Sequence, residues 1–180
     1  MHLPITLRPF TPEDLALLPG GDSPFDDWGP KARTEPPTTA LDRPGGLVIV
    51  ATDDSGGAGA GSVLGDVGWH FMQWGPNSAS RNPMIGIWLR PEARGRGIGT
   101  AAQIAVVDLL FRHTSVNRIE AHTDVENGAE QRALEKAGFT AEGVVRGGQW
   151  RDGAFHDGVL YSILRSEWRA SRSLTRSRSS

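Results

Sequence analysis

The chain has 180 residues, of which 38% are hydrophobic and 22% charged, and it carries a net charge of −2 and no cysteine. These values predict one globular domain, and the lack of cysteine excludes disulfides, thiolate metal sites and a cysteine nucleophile. No apolar run reaches the roughly 18 residues of a membrane span, and the N-terminal sequence MHLPITLRPF lacks a signal-peptide pattern. We expect a soluble cytoplasmic protein without membrane contact, and the slight negative charge argues against broad nucleic-acid binding.

The first half of the chain predicts short strands separated by segments rich in glycine and proline. We expect strands at residues 5–8, 46–52 and 63–74 from their β-branched content and alternation. A brief helix follows the first strand, with Thr11 as its N-cap. Residues 22–44 are rich in Pro, Gly, Asp and Thr and contain Phe25 and Trp28. That segment is either an ordered surface loop whose two aromatic side chains enter the core, or a lid over an acceptor site.

The centre of the chain predicts a strand, a glycine-rich turn and a helix. Residues 84–89 form an apolar run of strand length, Pro91 ends it, and residues 101–111 are helical. The turn between them reads Arg94, Gly95, Arg96, Gly97, Ile98, Gly99 and Thr100. Glycines allow close approach of the backbone to a ligand, and a helix start offers unpaired N–H groups. The turn is therefore a candidate site for a phosphorylated ligand.

Three glycine-rich motifs compete for this turn. A P-loop is excluded because the turn has no lysine. A dinucleotide-binding fingerprint fits Gly97, Gly99 and Ala102, with Glu120 about 20 residues further on, but only one βαβ unit can be drawn. The third motif, R-x-x-G-x-G/A, is filled by Arg94, Gly97 and Gly99. It is the pyrophosphate loop of the GNAT acetyltransferases, which this sequence resembles.

The second half of the chain strengthens that resemblance. We expect a strand at 116–125, a helix at 127–137, and final antiparallel strands at 139–145 and 158–164 around a loop that holds Gln149. Residues 127–139, NGAEQRALEKAGF, followed by EGVVR at 142–146, resemble a block of the GNAT branch that includes the ribosomal-protein N-terminal acetyltransferases (RimJ/RimL-like). Asp157 and Tyr161 match the D-x-x-x-Y ending of that branch. The resemblance covers about residues 5–164.

The resemblance implies a fold and an activity. The fold would be mixed α/β, with a central sheet of about six to seven strands, a splayed central strand and flanking helices. Residues 1–168 would form a single domain, followed by a basic Arg/Ser tail at 169–180 that we expect to be disordered. The activity would be transfer of an acetyl group from acetyl-coenzyme A to a primary amine, on a small molecule or a protein N-terminus. The protein would be a monomer or a homodimer.

An alternative function keeps the coenzyme site without catalysis. The chain would then be an acyl-coenzyme A sensor whose arginine-rich tail contacts RNA or an acidic partner. The tail carries five arginines against one acid between residues 165 and 180. Intact cofactor motifs favour the enzyme.

The resemblance also implies which residues bind the cofactor. Backbone groups around Trp88 and Leu89 would pair with the pantetheine arm, and the side chain of Asn127 would bind that arm near the next helix. The pyrophosphate would be held by the loop of Arg94, Gly95, Arg96, Gly97, Ile98, Gly99 and Thr100, and Arg90 would also contact the cofactor. No metal is expected.

The catalytic residues are less closely defined, because the sequence departs from the family pattern. The family's tyrosine acid is replaced by Leu134. Glu130 stands where the branch often has a serine, and Gln149 where it often has a glutamate, so the site either keeps one carboxylate at an exchanged position or uses Glu130 only to stabilise its helix start. Tyr161 would donate a proton to the leaving thiolate or only pack, and Glu120 would act from the strand it shares with His122.

Overall fold

The computed structural model describes residues 4–21, 23–26, 33–53 and 59–177, with side chains described as far as residue 173. Its strands are β1 Ile5–Arg8, β2 Gly45–Ala51, β3 Val63–Gln73, β4 Arg81–Leu89, β5 Arg118–Asp124, β6 Thr140–Arg151 and β7 Ala154–Leu164. Its helices are α1 Asp14–Leu17, α2 Ile98–His113, α3 Gly128–Lys136 and α4 Arg165–Ser177, and a 3-10 turn at Pro91–Ala93 precedes the glycine-rich turn. The predicted order of strands and helices is confirmed as far as β7, whereas α4 was not predicted.

The strands form one mixed sheet in the order β1-β2-β3-β4-β5-β7-β6. Neighbouring strands are antiparallel except β4 and β5, which are parallel and joined by α2. Their pairing covers only Met84 opposite Glu120 and Ile85 opposite Ala121. After these two positions β4 and β5 diverge towards their carboxyl ends, which confirms the splayed central strand and leaves an opening in the sheet.

One face of the sheet, called here the helix face, carries the main core. Side chains two residues apart along a strand point to the same face, and on this face they are apolar. The core joins strand residues Val67, Trp69, Ile85, Ile119, Ala121 and Ile163 to helix residues Ala102, Val106, Leu110, Phe111 and Leu134. Burial of these side chains positions α2 and α3 beside the opening.

The opposite face, called here the polar face, is different in character. Strand register places on it His70, Met72, Asn82, Met84, Glu120, His122, Asp124 and Ser162. A second, smaller core of Phe10, Leu18, Val48 and Val50 covers its β2 end, and Val63 and Trp88 pack against this core. Over β3 to β5 this face is therefore lined mainly by groups that can hydrogen bond.

The segment between α1 and β2 contacts the polar face near the end of β5. Buried Arg151 pairs with buried Asp124 and donates to the carbonyl oxygen of Pro24. The same guanidinium lies 5.6 Å from the centre of the Phe25 ring. One of the two predicted aromatic anchors thus rests on an ion pair of the polar face.

A second contact of this segment lies at the other side of the polar face. Arg33 pairs with Asp66 of β3 at 2.8 Å, and its guanidinium lies 5.5 Å from the centre of the Phe10 ring. The other predicted anchor, Trp28, lies outside the described residues. The described parts of this segment therefore contact the polar face. Whether the segment acts as a lid over an acceptor site stays a prediction.

Two local expectations were wrong. Gln149 lies in strand β6, which continues to Arg151, because the turn is confined to the residues around Asp152 and Gly153, both with positive φ. Thr11 is not the N-cap of α1; that position is Glu13, and the backbone N–H and hydroxyl of Thr11 donate to the carboxylate of Asp14 instead.

The expected disorder of the tail also differs from the structure, where α4 continues to Ser177 across the predicted boundary at residue 168. The sequence argument undervalued Trp168, whose ring lies 5.4 Å from that of Phe111 on α2. Arg165 donates to the carbonyl oxygens of Phe111, Thr114 and Val116, so it caps the end of α2. These contacts hold the helix on the domain. Residues 178–180 lie outside the described part of the chain.

Within the described residues, no helix combines the length and the apolar character needed to cross a bilayer.

Candidate functional site

The glycine-rich turn lies where β4 ends and α2 begins. Gly95 and Gly97 have φ values of +73° and +78°, a left-handed conformation that side chains with a Cβ rarely adopt. A Cβ built on either glycine meets no atom within 4 Å, so there is open space above this backbone. The turn thus has both the conformation and the room for a group that approaches closely.

The start of α2 directs backbone donors at that space. Gly97 is the N-cap, and the first helical hydrogen bond joins the N–H of Ala101 to the oxygen of Gly97 at 3.0 Å. The amides of Ile98, Gly99 and Thr100 precede that bond and have no acceptor inside the helix. Together with the positive end of the helix dipole they form an anion-binding surface. The predicted pyrophosphate contact of this turn stays a prediction.

The arginines of the region have different roles. Arg90 pairs with Glu92 at 2.7 Å, which fixes it beside the 3-10 turn. Arg94 donates from Nε to the carbonyl oxygen of Leu89 at 2.9 Å and so ties the turn to the end of β4. Arg94 and Arg96 both lie at the surface. Both cations therefore lie in the turn that carries the anion-binding surface.

Strand geometry decides which backbone groups of β4 face the opening. The N–H of Arg90 donates to the oxygen of Leu64, and Trp88 lies opposite Asp66, so Arg90 and Trp88 direct their backbone groups at β3. Because the backbone groups of successive strand residues point in opposite directions, the N–H and C=O groups of Ile87 and Leu89 point at the opening. Ile87 was missed from sequence, since the direction depends on the register with β3.

Asn127 lies on the β5 side of the opening. Its side-chain oxygen accepts from the N–H of Glu130 at 3.2 Å, so it caps α3. This contact uses the amide oxygen and not the amide nitrogen, whose two hydrogens can donate elsewhere. The predicted cofactor contact of Asn127 stays a prediction.

Glu130 is held between two helices. Its carboxylate accepts from Nε2 of Gln103 on α2 at 2.5 Å, and Gln103 is fully buried. Burial is the main cause that raises the pKa of Glu130 to about 7, while the hydrogen bond from Gln103 opposes the rise. A carboxyl group with this pKa can take or give a proton near neutral pH.

Gln149 lies on the polar face beside a histidine. Its Nε2 is 2.6 Å from Nδ1 of His122, and Nε2 of His122 is buried without a partner. Burial lowers the pKa of His122, which favours the neutral ring, while the charge of Asp124 opposes this shift. The ring lies over Gly158 of β7, where a Cβ would come within 2.1 Å of it. Gln149 can thus orient a neutral imidazole.

Tyr161 and Glu120 lie in two further clusters. Tyr161 is 1% exposed on the helix face, and its hydroxyl donates to Glu135 at 3.4 Å. Burial, and secondarily Glu135, raises its pKa. Glu120 is 0% exposed on the polar face, where it accepts from Trp74 and Arg118. In the described part of the chain, no hydrogen bond joins any two of the four predicted catalytic residues.

The site is thus formed by an anion-binding turn, an opening between β4 and β5, and a polar face beyond it. Residues 5–140 match the acetyltransferase (GNAT) domain family. The chain belongs to this family. The predicted resemblance is confirmed.

Relatives and solved structures agree with this assignment. The chain is 33% identical over 108 residues to "Putative ribosomal N-acetyltransferase YdaF" of Bacillus subtilis (strain 168), a match that covers 60% of this chain and 57% of the relative. The structure of spermidine N-acetyltransferase from Vibrio cholerae with coenzyme A and spermine has a TM-score of 0.70 at 20% identity and covers 93% of this chain and 99% of its own. Mycobacterium smegmatis RimJ with coenzyme A disulfide has a TM-score of 0.69 at 22% identity, covering 91% and 83%. The chain thus spans little more than half of the curated relative.

Proposed function

We propose that this protein transfers the acetyl group of acetyl-coenzyme A to a primary amine by direct attack. The observation that carries the proposal is the opening between β4 and β5, which begins after Ile85 and Ala121, beside the anion-binding turn at Gly97. When bound, the coenzyme supplies a thioester, an activated acyl group. The turn would hold its pyrophosphate, and Ile87 and Leu89 would pair with its arm. A thioester in this opening is reachable from the polar face.

The attacking amine must lose a proton before or as it attacks the thioester. We assign Glu130 as the proton acceptor, because a pKa of about 7 suits a base at neutral pH. Gln149 and His122 would orient the acceptor on the polar face. Backbone N–H groups on β4 would stabilise the oxyanion that forms on attack.

The remaining candidates have more limited roles in this mechanism. Tyr161 would protonate the leaving thiolate only after reorientation, since its hydroxyl now donates to Glu135. Glu120 accepts from Trp74 and Arg118 through Oε1 and would act on the acceptor through its charge. Asn127 would donate from its amide nitrogen to the cofactor arm.

Two kinds of acceptor occur among the similar proteins, a ribosomal protein and a polyamine, and both present a primary amine. For this chain the acceptor class is part of the proposal. A cytoplasmic location and a monomeric or homodimeric state stay predictions. The alternative of a sensor with a basic arm loses support, because Arg165 and Arg172 are used in contacts with α2.

Turnover of acetyl-coenzyme A against a panel of primary amines tests the proposal directly. Gly97→Val should weaken coenzyme A binding at least about a hundredfold in calorimetry, because its side chain enters the open space above the turn that the pyrophosphate would approach. Gly99→Ala is the matched control for folding, since its Cβ would meet only Leu89 and Ile87, at 3.6 and 3.9 Å. Unchanged coenzyme A affinity in the valine variant would overturn the assignment of the turn.

A further inference from the structure

Trp74 is an exposed aromatic residue fixed in place on the polar face. It follows β3 directly, and 62% of its surface is exposed. Its indole N–H donates to Oε1 of Glu120 at 2.6 Å. Because β4 lies between β3 and β5, the indole must cross β4 to make this bond. The ring therefore lies along the sheet and presents a face to solvent.

The group behind the ring carries excess negative charge. Oε1 of Glu120 also accepts from Nε of Arg118 at 2.7 Å. The other two guanidinium nitrogens of Arg118 donate to Glu142, each at 2.5 Å. Two carboxylates thus share one guanidinium, and Oε2 of fully buried Glu120 has no hydrogen-bond partner. One negative charge remains uncompensated among these three side chains.

An ammonium ion is the ligand that such an arrangement attracts. Cations bind over the face of an indole ring, and a hydrogen bond from the ring to a carboxylate increases the negative potential of that face. Met72 is exposed next to Trp74 on the same face and offers an apolar contact for a methylene chain. The buried carboxylate acts through a low-dielectric interior, where its field is weakly screened.

We propose that Trp74 and Glu120 bind a second ammonium group of the acceptor, so the preferred acceptor is an aliphatic diamine. This inference rests on the proposed acetyl transfer. Glu120 lies one residue before Ala121, the last paired residue of β5, and Trp74 pairs with Ser80, five residues before Ile85. At the rise of a strand these positions are about 3 and 17 Å from the start of the opening, and the indole spans the distance between them. The reacting amine would lie at the opening while the second ammonium lies on the indole.

Matched pairs of acceptors test the preference. Diaminobutane, diaminohexane and diaminooctane are compared with butylamine, hexylamine and octylamine in steady-state kinetics at saturating acetyl-coenzyme A. We expect the diamine of best length to have a KM about threefold to thirtyfold lower than its monoamine, with similar kcat. Raising the salt concentration should reduce this ratio.

Variants of Trp74 locate the effect. Trp74→Leu should abolish the diamine preference through KM, and Trp74→Phe, which keeps a ring but loses the hydrogen bond, should retain part of it. Glu142→Gln should reduce it as well, because it removes one of the two carboxylates. Trp150→Leu is the matched control: Trp150 is 58% exposed on the β6–β7 hairpin and contacts Phe155, so the ratio should not change.

The outcomes separate this inference from the proposed function. If no amine is acetylated, the proposed function fails. If monoamines and diamines are acetylated equally well, or if Trp74→Leu keeps the diamine preference, acetyl transfer stands and the ammonium site is overturned.

Discussion

The two faces of the sheet use the same strands for different purposes. The helix face is apolar and closed by α2 and α3, whereas the polar face carries charges that pair across strands. Successive residues of β5 show the contrast, since Ile119 and Ala121 enter the core while Glu120 and Asp124 enter ion pairs. Because the side chains of a strand alternate between the two faces, the same strands stabilise the fold through the helix face and present polar groups on the other.

The polar face also shows how such charges are tolerated. A buried charge without a partner is costly, so Asp124 has Arg151, and Asp66 has Arg33. Among the described residues, three buried atoms of this face have no hydrogen-bond partner: Oε2 of Glu120, Nε2 of His122 and Nε of Arg151. Glu120 and His122 belong to β5, which borders the opening where an acceptor would bind.

The largest expected effect comes from breaking the helix face. Phe111 is buried between the core, Trp168 and Arg165, so Phe111→Ala leaves a cavity and removes the ring on which α4 rests. We expect a loss of about 3–5 kcal/mol in the free energy of unfolding, measured by urea denaturation. Met72→Ala on the polar face is the control, expected to change stability by less than about 0.5 kcal/mol. Equal losses in the two variants would contradict the division between faces.

Glu130 is expected to supply the proton acceptor from the helix layer, and not a group of the polar face. Glu130→Gln removes a titratable group of the helix layer and should lower turnover at least about tenfold, with little change in coenzyme A affinity. Gln149→Ala on the polar face should cost less, because an amide orients but does not titrate. In the unmodified protein turnover should rise with pH through about 7 as Glu130 ionises. Normal turnover of Glu130→Gln would remove Glu130 from the mechanism.

Glu130→Gln should lower turnover but raise the stability of the fold. Below pH 4.5 Glu130 is protonated in both the folded and the unfolded chain; between 4.5 and about 7 the unfolded chain loses its proton first, so folded stability falls as pH rises. Glu130→Gln should therefore be more stable than the unmodified protein by about 1–2 kcal/mol at pH 8, and equally stable at pH 4. Melting curves at the two pH values measure the difference. A destabilised glutamine variant at pH 8 would show that the carboxylate serves the helix start instead.

The smallest effect is expected at the β2 end of the polar face. Asp14 accepts from both terminal nitrogens of Arg8, and this contact lowers the pKa of Asp14 from 3.8 to about 2. Its stabilisation is present above pH 4 and is lost as pH falls towards 2. Since Arg8 is partly exposed and screened by solvent, Asp14→Asn should cost about 1–2 kcal/mol at pH 7 and almost nothing at pH 2. A constant cost over this pH range would exclude an electrostatic origin.

Sequence alone predicted much of the fold because the relevant signals are local. The apolar run before Pro91, the three glycines and the helix that follows lie within one short stretch, and their order predicts a strand, an anion-binding turn and a helix. The block from Asn127 to Phe139 likewise predicted α3. The predicted disorder of the tail was wrong because Trp168 packs against Phe111, although the residues around Trp168 in the sequence are mostly polar.

What the sequence by itself determined is the family, the order of strands and helices, and the turn at Gly97, since each depends on residues close together in the chain. Only the tertiary structure decided that the backbone groups of Ile87 face the opening. It also decided that Gln103 donates to Glu130 and that Trp74 donates to Glu120, which lies 46 residues further along the sequence. The physical reason is that strand register and helix packing join residues far apart in the chain, and no local pattern encodes which polar group will meet which.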